Sequence, residues 1–278
     1  MSTTTAGTVY LVGAGPGDPE LVTVKARRLL DSADVVLHDS LVGDGLVDTI
    51  PDDVRVENVG KRAGGDRTPQ AEINDRLIRE ATAGREVVRL KGGDPTIFAR
   101  GGEEAEHLAH HNVPFEVVPG ITSAVAAPGV AGIPTTHRDH ASALAVVTGH
   151  EDPTKADSAL DWGALSDLVS AGGTLVILMG VGRLPDNAAA LRAAGVDPTT
   201  PVAMVERATL SDERVVTGTL DTIVDVADAA AVEPPAVTVV GDVVGVRETV
   251  ARCLGGSDAM ADAPVTTANG VVGVTDSD

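Results

Sequence analysis

The nine residues from Val87 to Pro95, Val-Val-Arg-Leu-Lys-Gly-Gly-Asp-Pro, constrain the fold more than any other stretch. A run of β-formers halts at two glycines, an acid and a proline, the pattern of a buried strand that ends in a tight loop. In an open α/β sheet, ligands bind just beyond the carboxyl ends of the strands. Adjacent glycines at such an end let a ligand touch bare backbone, where amides donate hydrogen bonds. An ordinary strand-to-loop turn carries the same residue types. What the stretch means therefore depends on the other strand ends.

Those ends are unusual too. Thr8 to Val12 reads as a first strand, followed by Gly13, Gly15, Pro16, Gly17, Asp18 and Pro19, and then a helix from about Leu21 to Ala33. This is not the dinucleotide fingerprint, which needs glycine where Asp18 stands, and no Gly-Lys-Ser/Thr of a P-loop follows. Asp34 to His38 is a second strand, ending in His38, Asp39 and Ser40. After a short helix near Asp44 to Thr49, Val54 to Val59 is a third strand, closed by Gly60, Lys61 and Arg62. Thr68 with Pro69 behind it predicts the N-cap of a helix with Ile73, Leu77, Ile78 and Ala81 on one stripe, stopping at Gly84. An acidic helix begins near Gly101 and ends by Asn112, and Phe115 to Val118 is another strand, ahead of Pro119 and Gly120. Alternating strands and helices predict a mostly parallel α/β sheet. Parallel strands would gather Gly13 to Gly17, Asp39, Lys61 with Arg62, and Gly92 to Asp94 on one edge.

The stretch from Ile121 to Gly132 is rich in small residues, and a domain boundary is expected between about 120 and 140. This gives a tail (1–7), an N-terminal α/β domain (8–125) and a C-terminal α/β domain (126–254). The second domain is expected to hold strands at Ala143 to Thr148, Thr174 to Met179 and Ala236 to Val240, with helices at Ala164 to Ala171, Leu184 to Ala194 and Asp221 to Ala230. Pro201 to Glu206 and Arg214 to Gly218 read as an antiparallel pair. Residues 255–278, rich in Gly, Ala, Thr and Asp, are expected to be a disordered acidic tail.

Net charge is −20, and only four of the 21 basic residues are lysines. Such a surface repels nucleic acid and anionic membranes, so neither is an expected partner. It suits high salt, where the Debye length falls to about 3 Å at 1 M; an acidic protein in ordinary salt shares the sign of the charge, and the size of the excess favours the halophilic reading. No apolar stretch approaches the ~20 residues of a membrane span, and the N-terminus lacks the regions of a signal peptide. The expected compartment is the cytoplasm. A single cysteine, Cys253, excludes an internal disulfide and a Cys-rich zinc site. His137, His140 and His150 match no strong metal spacing, and no metal is expected.

Taken together and in order, these segments are identified with a family. Val12 to Pro19, Asp39 with Leu41 and Val42, Gly60 to Arg62, Arg89 to Pro95 leading to Arg100 to Glu104, and Val118 to Ala124 resemble the tetrapyrrole methylases. Gly132 to Arg138, Thr148 to His150, Met179 with Gly180, and Pro235 with Ala236 extend the resemblance, which runs from about Val9 to Val244. Gly60 to Arg62, Gly132 to Arg138 and Thr148 to His150 point to the uroporphyrinogen-III C-methyltransferase branch. The sequence departs from the family pattern at His38 and Ser40, where tyrosine and arginine are usual.

The resemblance implies two α/β domains of the tetrapyrrole methylase type, with the active site in the cleft between them. It implies S-adenosylmethionine as methyl donor, S-adenosylhomocysteine as product, and C-methylation of uroporphyrinogen III to precorrin-2 on the way to sirohaem and cobalamin, in a homodimer. The alternatives are a later corrinoid precursor and a diphthine synthase-like methyl transfer on the same fold. Carried over residue by residue, donor contacts fall on Pro16, Gly92, Gly93, Asp94 and Ile97. They continue at Thr122, Ser123, Met179, Ala208 and Ala236. Glycine amides can approach polar parts of such a donor, Asp94 can accept from its hydroxyls or amine, and Met179 offers a soft apolar contact.

Methyl transfer is an in-line displacement at carbon, with the nucleophile roughly 3 Å away. A pyrrole carbon that attacks makes its ring nitrogen acidic, and that proton must leave. The family match implies Asp39 as acceptor and Lys61 as donor or electrostatic partner. An acid in Asp39's place can also be a turn residue bonded to its own backbone. The substrate's carboxylates call for cations: Lys61, Arg62, Arg67, Arg89, Lys91, Arg100 and Arg138 fall in or near the motif loops, and Arg62, Lys91, Arg100 and Arg138 are the substrate-binding candidates.

Overall fold

The computed structural model describes residues 6–60, 68–150 and 159–253, together with the strand Val265–Thr266. Lys61, Arg62 and Arg67 lie outside the described residues, as do most of residues 255–278. The chain divides into two compact units, Met1–Ser123 and Ala124–Asp278.

The first unit alternates strand and helix: β1 (Val9–Gly13), α1 (Val24–Ser32), β2 (Val35–His38), α2 (Asp44–Val47), β3 (Arg55–Asn58), α3 (Gln70–Thr82), β4 (Val87–Lys91), α4 (Gly101–His110) and β5 (Phe115–Val118). The sheet order is β3-β2-β4-β1-β5, and every neighbouring pair is parallel. All five carboxyl ends therefore lie on one edge. Alternate side chains face opposite ways. Val12, Val36, Val88 and Leu90 pack with Leu30 of α1 and Leu46 of α2. Val9, Leu11, Val35, Leu37 and Val87 pack with Ile73 and Leu77 of α3 and Leu108 of α4. Burial on both faces explains why β2 and β4 read as continuous runs rather than alternating ones.

Two local expectations shift. The first helix does not begin at Leu21: Asp18 accepts from Glu20 N at 2.8 Å and caps a single 3₁₀ turn, Pro19–Leu21, before Thr23 caps α1. Asp18 thus holds the Gly-rich loop away from a helix start, the opposite of a dinucleotide site. Thr68 is not the cap of α3, because the helix starts one residue later at Gln70, with Pro69 in the cap position and no side-chain cap.

The second unit holds α5 (Ser123–Val130, starting at the boundary), β6 (Leu144–Thr148), α6 (Trp162–Ser170), β7 (Thr174–Leu178), α7 (Leu184–Ala193), β8 (Pro201–Glu206), β9 (Arg214–Thr219), α8 (Ile223–Ala229), β10 (Ala236–Val240), α9 (Val244–Cys253) and β11 (Val265–Thr266). Its sheet runs β11-β9-β8-β10-β7-β6 and is mixed. The expected pair β8 and β9 is antiparallel, with Met204 opposite Val216. Of residues 255–278, expected to be a disordered acidic tail, Val265–Thr266 are the described ones, and they pair in parallel with Val215 and Val216 of β9.

Candidate functional site

Glycine crowding builds the edge of the first sheet. Ala14 N donates to Lys91 O at 2.7 Å, and Gly15 and Gly93 form an isolated antiparallel bridge beyond the parallel strands. A Cβ on Gly13 would lie 2.5 Å from Gly120 Cα and 2.6 Å from Gly93 O; one on Gly120 would lie 2.3 Å from Gly93 O. Gly93 has φ +65°, which favours glycine for a second reason. These three glycines are therefore required by the protein itself. Gly92 is not: its φ is ordinary, and a Cβ there would meet nothing nearer than the Leu41 Cβ at 3.4 Å. The fold gives no reason for glycine at 92, whereas a ligand approaching that backbone does.

Asp94 is also engaged within the protein. Its Oδ1 accepts from Thr96 N at 2.8 Å and Thr96 Oγ1 at 2.5 Å, and its Oδ2 accepts from Gly120 N at 3.1 Å. The carboxylate ties the loop after β4 to the loop after β5, and a ligand would take only its remaining lone pairs. Thr122 and Ser123 stand beside Gly93, whose Cβ position is 3.6 Å from Ser123 N. Pro16 is half-buried in the loop after β1, and Ile97 is exposed just after Asp94.

Behind this edge lies a charge cluster. Arg89 and Lys91 are two apart on β4 and so share the face packed by α3 and α4. Both are 1% exposed, and Glu104 of α4 is 0% exposed. Glu104 Oε1 accepts from Gln70 Nε2, Arg89 Nε and Lys91 Nζ, each at 3.0 Å. Its Oε2 makes no hydrogen bond among the described residues. Arg89 Nη2 donates to Asp39 Oδ1 at 2.5 Å, and Lys91 Nζ lies 3.6 Å from Asp39 Oδ2. Two cations and two anions balance. Asp39, with its side chain 28% exposed, is the member that reaches solvent. Burial alone would lower Arg89, but Glu104 and Asp39 outweigh it and hold the guanidinium charged. Burial, then the Arg89 charge, pushes the Lys91 ammonium below the usual lysine range against the pull of Glu104 and Asp39.

Asp39 is thus more than a turn acid. Its backbone does turn the chain, with Val42 N on Asp39 O at 3.1 Å, but its carboxylate is fixed by long-range partners. His38 is buried with Nδ1 3.0 Å from Asp39 O, and Ser40 Oγ donates to Asn58 Oδ1 at 3.3 Å, so the two departures from the family pattern serve to brace this strand end. Lys91 is corrected: its ammonium is enclosed on Glu104, so it does not stand out as a cation for substrate carboxylates. Arg100 is exposed, left-handed at φ +60°, and paired bidentately with Glu103. Arg138 is exposed in the turn between His137 and Ala141, in the second unit. Glu104 was not singled out as a site residue in the sequence, and Arg89 only as one of the cations near the motif loops; the signal was an acid at the start of α4 after two cations spaced by two on a buried strand.

The second unit gathers its own candidates. Met179 follows β7 in a left-handed conformation and is 51% exposed. Thr238 pairs with Ile177, so two residues back along antiparallel β10, Ala236 aligns with Met179. Ala236 also pairs with Glu206, two residues before Ala208. Met179, Ala208 and Ala236 therefore share one edge of this sheet, together with Thr148 and Gly149 at the end of parallel β6. Gly149 is forced here by Gly180, whose Cα would be 2.5 Å from its Cβ.

A family model described as tetrapyrrole (corrin/porphyrin) methylases matches residues 8–224. The chain belongs to that family. This methylase chain is 54% identical over 252 residues to a Methanosarcina barkeri protein named S-adenosyl-L-methionine-dependent uroporphyrinogen III methyltransferase, covering 91% of this chain and 98% of that one. It is 46% identical over 246 residues to a siroheme synthase of Nitrosomonas europaea, spanning 88% of this methylase but only 50% of that protein. Among solved structures it matches the uroporphyrin-III C-methyl transferase of Thermus thermophilus complexed with S-adenosylhomocysteine, at TM-score 0.71 and 44% identity, covering 86% of this chain and 93% of that one. Both sheets of the methylase fold are thereby accounted for, and the two sheet edges belong to a methyl-transferring family.

Proposed function

We propose that this methylase transfers methyl groups from S-adenosylmethionine to ring carbons of uroporphyrinogen III, yielding precorrin-2. The observation that carries the reading is the edge of the first sheet. There a backbone made open at Gly92 lies beside a carboxylate held by two buried cations. The 54% identity to the Methanosarcina protein over nearly its whole length supports uroporphyrinogen III over a later corrinoid precursor or a diphthine synthase-like substrate.

The donor, when bound, supplies an electrophilic methyl on a sulfonium and leaves as a neutral thioether. Gly92 and Gly93 give it bare backbone on one side, with Pro16, Ile97, Thr122 and Ser123 around that loop. Met179, Ala208 and Ala236 are the contacts proposed from the second unit. Asp39 Oδ2, on which no hydrogen bond falls among the described residues, takes the proton that the pyrrole nitrogen loses: the N–H bond breaks as an O–H bond forms on the carboxylate. Oδ1 stays engaged by Arg89. Lys61 is the proposed donor or electrostatic partner of this step. Arg62, Arg100 and Arg138 are proposed to meet substrate carboxylates, and Arg100 would exchange Glu103 for a substrate group.

The test is a titration with S-adenosylhomocysteine followed by an assay with S-adenosylmethionine and uroporphyrinogen III for red-fluorescent methylated product. Donor binding without turnover of uroporphyrinogen III would overturn the substrate assignment. We further propose a cytoplasmic, salt-adapted homodimer; the −20 charge supports the salt adaptation, and sedimentation at protein concentrations spanning the micromolar range would read the dimer.

A further inference from the structure

We propose that Lys91 is a positioning residue for the proton step: its ammonium, wedged between Glu104 Oε1 at 3.0 Å and Asp39 Oδ2 at 3.6 Å, holds the carboxylate so that Oδ2 is the accepting oxygen. This rests on Asp39 being the acceptor.

The two carboxylate oxygens of Asp39 are not equivalent. Arg89 occupies Oδ1 with a charge-assisted hydrogen bond. Lys91 faces Oδ2 from beyond hydrogen-bond reach, so it acts on that oxygen through charge and leaves its lone pairs open. The lysine cannot move toward solvent. It is 1% exposed and anchored to Glu104, which Gln70 holds from α3 and Arg89 from β4. The charged groups facing Asp39 among the described residues are Arg89 and Lys91 of β4, with Glu104 of α4 directly behind them; His38, on its own strand, meets only the Asp39 carbonyl. An opposite charge at this distance attracts the carboxylate without bonding it. Glu104 moderates that effect, because it draws on both cations. Lys91 and Glu104 therefore act on Asp39 with opposite signs.

The experiment uses the full chain and three variants, Lys91→Met, Glu104→Gln and, as marker, Asp39→Asn. Asp39 is followed by ¹³C-labelled aspartate carboxyl resonances in the S-adenosylhomocysteine complex, its signal identified by its loss in Asp39→Asn. Single-turnover methyl transfer to uroporphyrinogen III is measured across pH in parallel. In Lys91→Met the Asp39 resonance and the acid limb of the rate profile both move to higher pH, and kcat falls while KM for the tetrapyrrole holds. In Glu104→Gln both move down. A Lys91→Met protein with raised KM and an unmoved limb would make Lys91 a substrate cation and overturn the proposal. So would a lowered melting temperature with no movement of the resonance. If Lys91→Met does not fold, isosteric Glu104→Gln decides by its direction. A wild type that turns over no uroporphyrinogen III refutes the substrate assignment, whereas the labelled carboxylate still reports on Lys91.

Discussion

Gly15 and Gly93 exchange both of their backbone hydrogen bonds, Gly93 N to Gly15 O at 2.7 Å and Gly15 N to Gly93 O at 3.2 Å. The strands that lead to them are parallel, so this antiparallel bridge forms because the two chains change relative direction beyond the strand ends. It locks the loop after β1 to the loop after β4 and holds the Gly92 backbone still. A ligand that docks there finds the loop already ordered, which lowers the entropy cost of binding.

That rigidity separates two kinds of glycine. Gly13→Ala pushes a methyl into the Gly120 and Gly93 backbones, which cannot yield cheaply, and should cost about 1–3 kcal/mol of stability. Gly92→Ala meets only ordinary contacts and should leave the melting temperature near that of the wild type while weakening S-adenosylhomocysteine at least about tenfold, or ~1.4 kcal/mol. Calorimetry on both variants checks the contrast. Equal donor affinity in Gly92→Ala and wild type would remove the loop from the donor site.

Asp39→Asn keeps the shape of the side chain and removes the proposed base. A lost general base typically slows a reaction by 10²–10⁴-fold, and single-turnover transfer at saturating donor should fall by about that much. Donor affinity should hold, because the glycine loop is built by other residues. A near-wild-type rate would mean that the proton leaves to water or to another side chain. Lys61→Met, measured alongside, reads whether that lysine shares the step.

The acid side of the stability curve should depend on Glu80. Burial alone would raise its carboxyl, but hydrogen bonds and charge from Arg55 and Arg85 outweigh burial and hold it below its ordinary 4.5. A folded-state value below the unfolded one adds stability above the unfolded pKa, and that stability is lost as pH falls through the folded value. Both arginines are more than 40% exposed, so the contribution is about 1 kcal/mol or less. Melting curves of Glu80→Gln and wild type should differ at pH 7 and converge below pH ~4. Curves that stay equally separated at every pH would show that packing, not charge, carries the effect.

Salt should raise the melting temperature. With a net charge of −20, self-repulsion opposes the compact state in dilute buffer and is screened at molar potassium chloride. A melting temperature that stays flat between low and molar salt would refute adaptation to salt.

The strand ends are legible in the sequence because glycines and acids punctuate apolar runs, and chain direction alone then brings them to one edge. The antiparallel pair β8 and β9 is legible from its two β-rich runs for the same reason. What Lys91 does is not legible. On a strand buried on both faces a lysine has no water to reach, and its partner is decided by Glu104, thirteen residues on, across the strand-to-helix packing. The start of α3 was misjudged because Thr68 and Pro69 have ideal chemistry for a cap and first turn, yet the chain enters the helix one residue later. The mutual demand of Gly13, Gly93 and Gly120 for empty space is likewise a tertiary fact, since each looks like an ordinary loop glycine in its own segment.

The enclosed tetrad has a consequence for how this molecule meets its medium. Mobile ions quiet the charges they can surround, and they cannot surround Arg89, Lys91 or Glu104. Bathing the protein in brine therefore changes how strongly its surface pushes itself apart while leaving the field at Asp39 almost as it was. The outside can be rebuilt for a saltier or fresher habitat, acid by acid, without retuning the group proposed to handle the proton.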